Sequence, residues 1–147
     1  MSFRIIQVES FAMFNLRLVG AGGGMVDQPQ LKGIRVLVVE DDDLSSLVAQ
    51  EMLSELGCVV TGAERSVDGA LATLENDGSF DCVMLDVRLG AELSSDIATR
   101  LLKKDVPFII CSGYDIKLPG MNIPVLDKPY TVEGLGRALT LALSNRR

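Results

Sequence analysis

Histidine is absent from the 147 residues, and so is tryptophan. Without histidine the chain can run no imidazole acid–base catalysis, build no His-ligated zinc site and carry no phosphohistidine of its own. A basic excess is missing too. Fourteen Lys and Arg against twenty Asp and Glu leave a net charge of −6, which excludes nucleic acid as a direct partner. Cysteine is sparse: Cys58, Cys82 and Cys111 are odd in number, far apart and each set in an apolar stretch. That pattern fits small core residues in a reducing compartment, neither a disulfide framework nor a metal site. Long uninterrupted apolar runs are also lacking. Phe3 to Val19 is broken by Arg4, Glu9 and Arg17, too often to span a bilayer, and Glu9 and Asn15 spoil it as a secretory signal. The expected setting is cytoplasmic, with no membrane partner.

What is present suffices for one core, with 48% apolar residues in a length that suits a single domain. Residues 1–30 stand apart from it. Gly20-Ala21-Gly22-Gly23-Gly24 fails as a dinucleotide-binding loop, because that glycine register would need glycine at Met25 and no helix pattern follows. It reads as a flexible linker. Residues 1–30 are thus a flexible N-terminal extension and 31–147 the folded domain. Met25 is an alternative start, the first 24 residues being an over-extended reading frame; the other reading is a short segment that docks on a partner.

From Leu31 onward strand and helix patterns alternate. Strands are expected at Ile34 to Val39, Cys58 to Ala63, Cys82 to Asp86, Pro107 to Cys111 and Ile123 to Leu126. Helices are expected at Leu44 to Leu56, with Asp43 as N-cap and Gly57 as C-cap, at Ser66 to Glu75, and at Ser94 to Leu102. In the first of these, Leu47, Val48, Met52, Leu53 and Leu56 carry the helical spacing. Thr131 caps a last helix to about Leu143. Such repeats predict an α/β fold with a doubly wound five-stranded parallel sheet. Between Tyr114 and Asn122, Pro119 and Gly120 leave room for only a short or irregular fourth helix.

Two of the apolar runs end in carboxylates. Val39 leads into Glu40, Asp41, Asp42 and Asp43, and Leu85 leads into Asp86. Open α/β sheets place their ligands at the carboxyl ends of strands. Clustered like charges repel, so a cation is expected there, and hard oxygen donors with room for water and phosphate point to Mg²⁺.

Taken in order, Val38-Val39-Glu40-Asp41-Asp42, Met84-Leu85-Asp86, Cys111-Ser112-Gly113 and Asp127-Lys128-Pro129 resemble the four signature segments of response-regulator receiver domains. Each segment falls at a strand's carboxyl end, and the resemblance covers about Leu31 to Leu143. It implies the flavodoxin-like strand order 2-1-3-4-5, with Asp86 as the phosphoacceptor. It further implies Asp41 as a direct Mg²⁺ ligand, Glu40 acting through water and the backbone carbonyl of Arg88 as a third protein ligand. Ser112 would bond a phosphoryl oxygen, and Lys128, aimed by Pro129, would pair with the carboxylate or phosphoryl group. The implied donor is a sensor histidine kinase or a phosphotransfer protein, and the implied state is a monomer or weak dimer. Such a domain is a phosphoacceptor with self-phosphorylation and self-dephosphorylation chemistry, not an enzyme. Since the sequence ends soon after the last helix, a stand-alone receiver is expected, signalling by protein–protein contact or draining phosphate.

Two departures from that family stand out. The aromatic common three positions before the lysine is replaced by Val125, and only fifteen residues separate Ser112 from Lys128. Pro107-Phe108 through Ser112-Gly113-Tyr114 resembles a receiver subset with a Pro-Phe…Thr-Gly-Tyr segment and the same shortened region. Tyr114 is either a substitute for the missing aromatic or a packing residue. With no ring at Val125, phosphorylation is expected to draw Ser112 inward and order Gly113 to Asn122. Two rival readings are kept. A haloacid-dehalogenase-like phosphatase also uses an aspartyl phosphate and Mg²⁺, but needs a second aspartate where Arg88 stands. A non-phosphorylated receiver-like binding module would not require Asp86, Asp41 and Lys128 together.

Overall fold

A computed structural model describes residues 31–76, 78–113 and 122–145. The N-terminal extension, Tyr114 and nearly all of the fourth-helix region lie outside the described residues. In chain order the elements are β1 (Arg35–Val39), α1 (Asp43–Glu55), β2 (Val59–Glu64), α2 (Val67–Asn76) and β3 (Cys82–Asp86). A hairpin follows, β4 (Arg88–Leu89) and β5 (Glu92–Leu93), then α3 (Ser95–Lys103), β6 (Phe108–Ser112), β7 (Val125–Asp127) and α4 (Val132–Ser144).

Five strands form one parallel sheet in the order β2-β1-β3-β6-β7. Counting only these five, this is the expected 2-1-3-4-5 order. Alternate residues of each strand face opposite sides, so a strand covered on both faces is apolar throughout. Val36, Val38, Cys82, Met84, Ile109 and Cys111 pack under α1 and α4, where Leu53, Leu135 and Leu139 are fully buried. Leu37, Val39, Val83, Leu85, Phe108 and Ile110 pack against Ala70 and Leu74 of α2 and Ile97 and Leu101 of α3. Cys58, Cys82 and Cys111 are all unpaired and buried. Burial pushes Cys58 up to about 11 and Cys82 to about 12, so neither is a reactive thiolate.

Three expectations need correction. Asp42, not Asp43, is the N-cap of α1: its carboxylate accepts the Ser45 amide at 2.8 Å, while Asp43 is already helical. At the other end the C-cap is Leu56, not Gly57, which follows it with φ +88°, a conformation that glycine adopts at no steric cost. The face of α1 also differs from the one expected. Ser46, Ala49 and Leu53 point into the core, whereas Leu47 and Val48 are 53% and 40% exposed. Finally, the β4–β5 hairpin was not foreseen. Leu89 anchors it by burial in the core.

Candidate functional site

Strand geometry delivers the site. β1 and β3 are neighbours in register, Val39 opposite Leu85, so Glu40 and Asp86 leave the same edge side by side. β6 and β7 end next to them with Ser112 opposite Asp127, and Lys128 follows. The Lys128 amide donates to the Ser112 carbonyl at 2.9 Å, which holds the start of the loop that carries its ammonium. The Lys128–Pro129 bond is cis.

Lys128 reaches back across the edge and bridges two acids. Its Nζ lies 2.7 Å from Glu40 Oε1 and 3.3 Å from Asp86 Oδ2. Glu40 is buried, and its other oxygen accepts the Asp42 amide at 3.2 Å. Burial, with Asp86 adding to it, pushes the Glu40 carboxyl up to about 7 despite the opposing bond from Lys128. For Lys128, burial alone lowers the affinity for its proton; the bond to Glu40 and the charge of Asp86 outweigh it, and the net direction is upward. One oxygen each from Glu40, Asp41 and Asp86 lie within 4.8 Å of one another. Hard oxygen donors that close suit a divalent cation, so the cluster is compatible with Mg²⁺.

Asp41 has a further tie that the sequence did not announce. Its Oδ2 accepts the backbone amide of Gly90 at 2.9 Å. Gly90 has φ +64°, which turns the hairpin so that this amide faces the carboxylate. The loop is fixed at its other end by Ser94, whose amide and hydroxyl both donate to the Val87 carbonyl, at 2.9 and 3.0 Å. A glycine after Arg88-Leu89 was the only visible hint.

The resulting cleft is lined by Glu40, Asp41, Asp42, Asp86, Arg88, Gly90, Gly113 and Lys128 among others. Of the residues expected from sequence, Glu40, Asp41, Asp86, Arg88 and Lys128 therefore converge. Ser112 is close by in the chain but differs in placement. It is buried at 1% exposure beneath the edge, and Gly113 takes its place in the wall.

A five-stranded parallel sheet in this order, with an acidic cluster and a lysine on its carboxyl edge, defines a receiver domain of two-component signalling. No family model matches the chain. Similarity to individual proteins does. SdrG from Sphingomonas melonis Fr1, known from a solution structure, is 34% identical with a TM-score of 0.67, over 76% of this chain and 97% of that one. The aerobic respiration control sensor protein ArcB of Escherichia coli (strain K12) is 32% identical over 124 residues, 74% of this chain and 15% of ArcB. The two-component response regulator ARR2 of Arabidopsis thaliana is 30% identical over 125 residues, 78% of this chain and 18% of ARR2. The chain belongs to the receiver-domain family, and it spans less than a fifth of the length of these two curated relatives. No helix among the described residues is long and apolar enough to cross a membrane.

Proposed function

We propose that this receiver domain accepts a phosphoryl group on Asp86 from the phosphohistidine of a sensor histidine kinase or phosphotransfer protein. The observation that carries the reading is the position of Lys128 Nζ, 2.7 Å from Glu40 and 3.3 Å from Asp86, at the wall of a cleft open to a donor. In the transfer an Asp86 oxygen attacks phosphorus, the P–N bond breaks and the leaving imidazole takes up a proton. Phosphoryl transfer asks the protein for positioning and for positive charge on the equatorial oxygens. Lys128 supplies one charge and can exchange its contact with Asp86 for one with the phosphoryl group. Mg²⁺, held by Asp41, Asp86 and the Arg88 carbonyl with Glu40 behind a water, would neutralise the rest. Asp41 meanwhile fixes the Gly90 turn that shapes the cleft. Ser112 would bond a phosphoryl oxygen after moving toward the cleft from its buried position, and Gly113 is the hinge.

That a sensor protein and a two-component response regulator both contain a stretch similar to this chain supports a histidine-kinase partner. Signalling then runs through protein contact, or the domain acts as a phosphate sink; residues 1–30 form an extension outside the receiver fold. The test is transfer from a radiolabelled, autophosphorylated kinase core. Label should pass to the wild-type chain and not to Asp86→Asn. Undiminished labelling of the variant would reject Asp86 as acceptor.

A further inference from the structure

Helix α1 carries more apolar side chains than the core uses. Leu44 is 69% exposed, and Leu47 and Val48 stand outside with it. A groove of about 380 Å³ lies between Leu44, Val48 and Met52 on this helix and Pro129 and Tyr130 on the loop after β7, with Lys128 at its rim. A second groove shares Val48 and Met52 and continues past Val132, with Glu51 and Glu55 along it. Together they make one apolar trough with an acidic lower end. It runs from the edge of the phosphoryl site toward the carboxyl end of α1.

The polypeptide leaves the described fold at that same end. Leu31 is fully buried in the core cluster under α1, and the Gly33 amide donates to the Gly57 carbonyl at 2.8 Å, just past the helix. Ahead of it lies Phe3 to Val19, an apolar stretch with Arg4 and Arg17 against Glu9, a net positive charge in a chain of −6. Ile5, Val8, Ala12, Leu16 and Val19 recur every three or four positions, the spacing of one helical stripe. From Leu44 to Glu55 the helix rises roughly 17 Å. Residues 20–30 can extend about 35 Å, so the stretch reaches the whole trough.

We propose that residues 3–19 dock in cis along this trough. Their apolar side chains cover Leu44, Val48, Met52 and Tyr130, and Arg17, next to the linker, meets the Glu51 and Glu55 end. The tether favours the docking, because short linkers give effective concentrations in the millimolar range. A segment that binds in trans with an affinity of roughly 0.1 mM would be about tenfold more bound than free in cis.

Hydrogen exchange of the full chain tests this without phosphorylation, so failure of phosphoryl uptake would leave its outcome unaffected. The comparison is with Val8→Ser/Leu16→Ser, two positions of that stripe, which lie outside the packed domain, so the variant cannot unfold it. Amides from Leu44 to Met52 should exchange about tenfold more slowly in the wild type. Val48→Glu should abolish the difference, and a synthetic peptide of residues 1–19 should restore protection to the segment variant. Equal exchange in wild type and segment variant would overturn the proposal. So would protection that rises with protein concentration, which assigns the trough to a second copy, or a natural protein whose intact mass begins at Met25.

Discussion

β1 and β3 run side by side, and their two ends handle charge differently. At the amino end Arg35 and Asp81 answer each other. The Arg35 amide and Nε donate to Asp81 Oδ2 at 2.9 and 3.2 Å, and Nη2 lies 2.9 Å from Oδ1. One cation meets one anion in a fork, partly in water. At the carboxyl end of the same strands Glu40 and Asp86 share Lys128, and Asp41 crowds in beside them. The balanced end needs no ligand. The unbalanced end holds excess negative charge in a partly desolvated place, which costs stability and favours a cation. The contrast separates a balanced charge pair from a charge cluster compatible with a bound cation.

The largest effect that sharpens this contrast is on pH dependence. Glu40 sits near 7 in the fold against an ordinary value of 4.5, so the native state holds that proton more tightly than the unfolded chain does. Its contribution is therefore full below about pH 4.5 and is lost as pH rises through 7, a loss of about 3 kcal/mol. Urea melts from pH 4.5 to 8 should show this decline in the wild type and a flatter profile in Glu40→Gln. Parallel profiles would mean that Glu40 is not the strained acid.

Next in size is the response to metal. Mg²⁺ at a hundredfold excess over its dissociation constant should stabilise the wild type by about 2.7 kcal/mol, seen as a rise in Tm. Asp41→Asn should lose most of that response. Its amide oxygen can still accept the Gly90 amide, so the metal-free variant should be more stable than wild type by about 1 kcal/mol. An unchanged Mg²⁺ response would remove Asp41 from the ligand set. The smallest effect belongs to the amino end. Asp81→Asn should lower stability by at most about 1 kcal/mol, the ordinary value of an exposed pair, and leave the Mg²⁺ response untouched.

Much of this was legible in the sequence, for reasons visible in single residues. Val36 to Val39 and Cys82 to Leu85 are apolar at every position because both sheet faces are covered, and the abrupt acids after them mark the edge. The four signature segments then fixed which acids and which lysine meet. Helix and strand ends moved by one or two residues, the usual latitude of such boundaries. The orientation of α1 was not legible. Leu44, Leu47 and Val48 are as apolar as Ala49 and Leu53, so periodicity alone gives two candidate faces and only the packing against β1 and α4 chooses. Nor was the cap, since three successive aspartates offer the same oxygen and the entry geometry selects Asp42. The Gly90 contact to Asp41 escaped because a backbone amide has no letter in the sequence, and two-residue strands such as Arg88–Leu89 are too short to leave a period.

The central claim is that the unbalanced end of β1 and β3 is where phosphate lands. Incubation with acetyl phosphate and Mg²⁺, followed by intact mass and peptide mapping, tests it most directly. The wild type and Asp81→Asn should each take up one phosphoryl group, mapped to Asp86, and Asp86→Asn should take up none. An adduct on another residue, or uptake by Asp86→Asn with wild-type kinetics, would contradict the account.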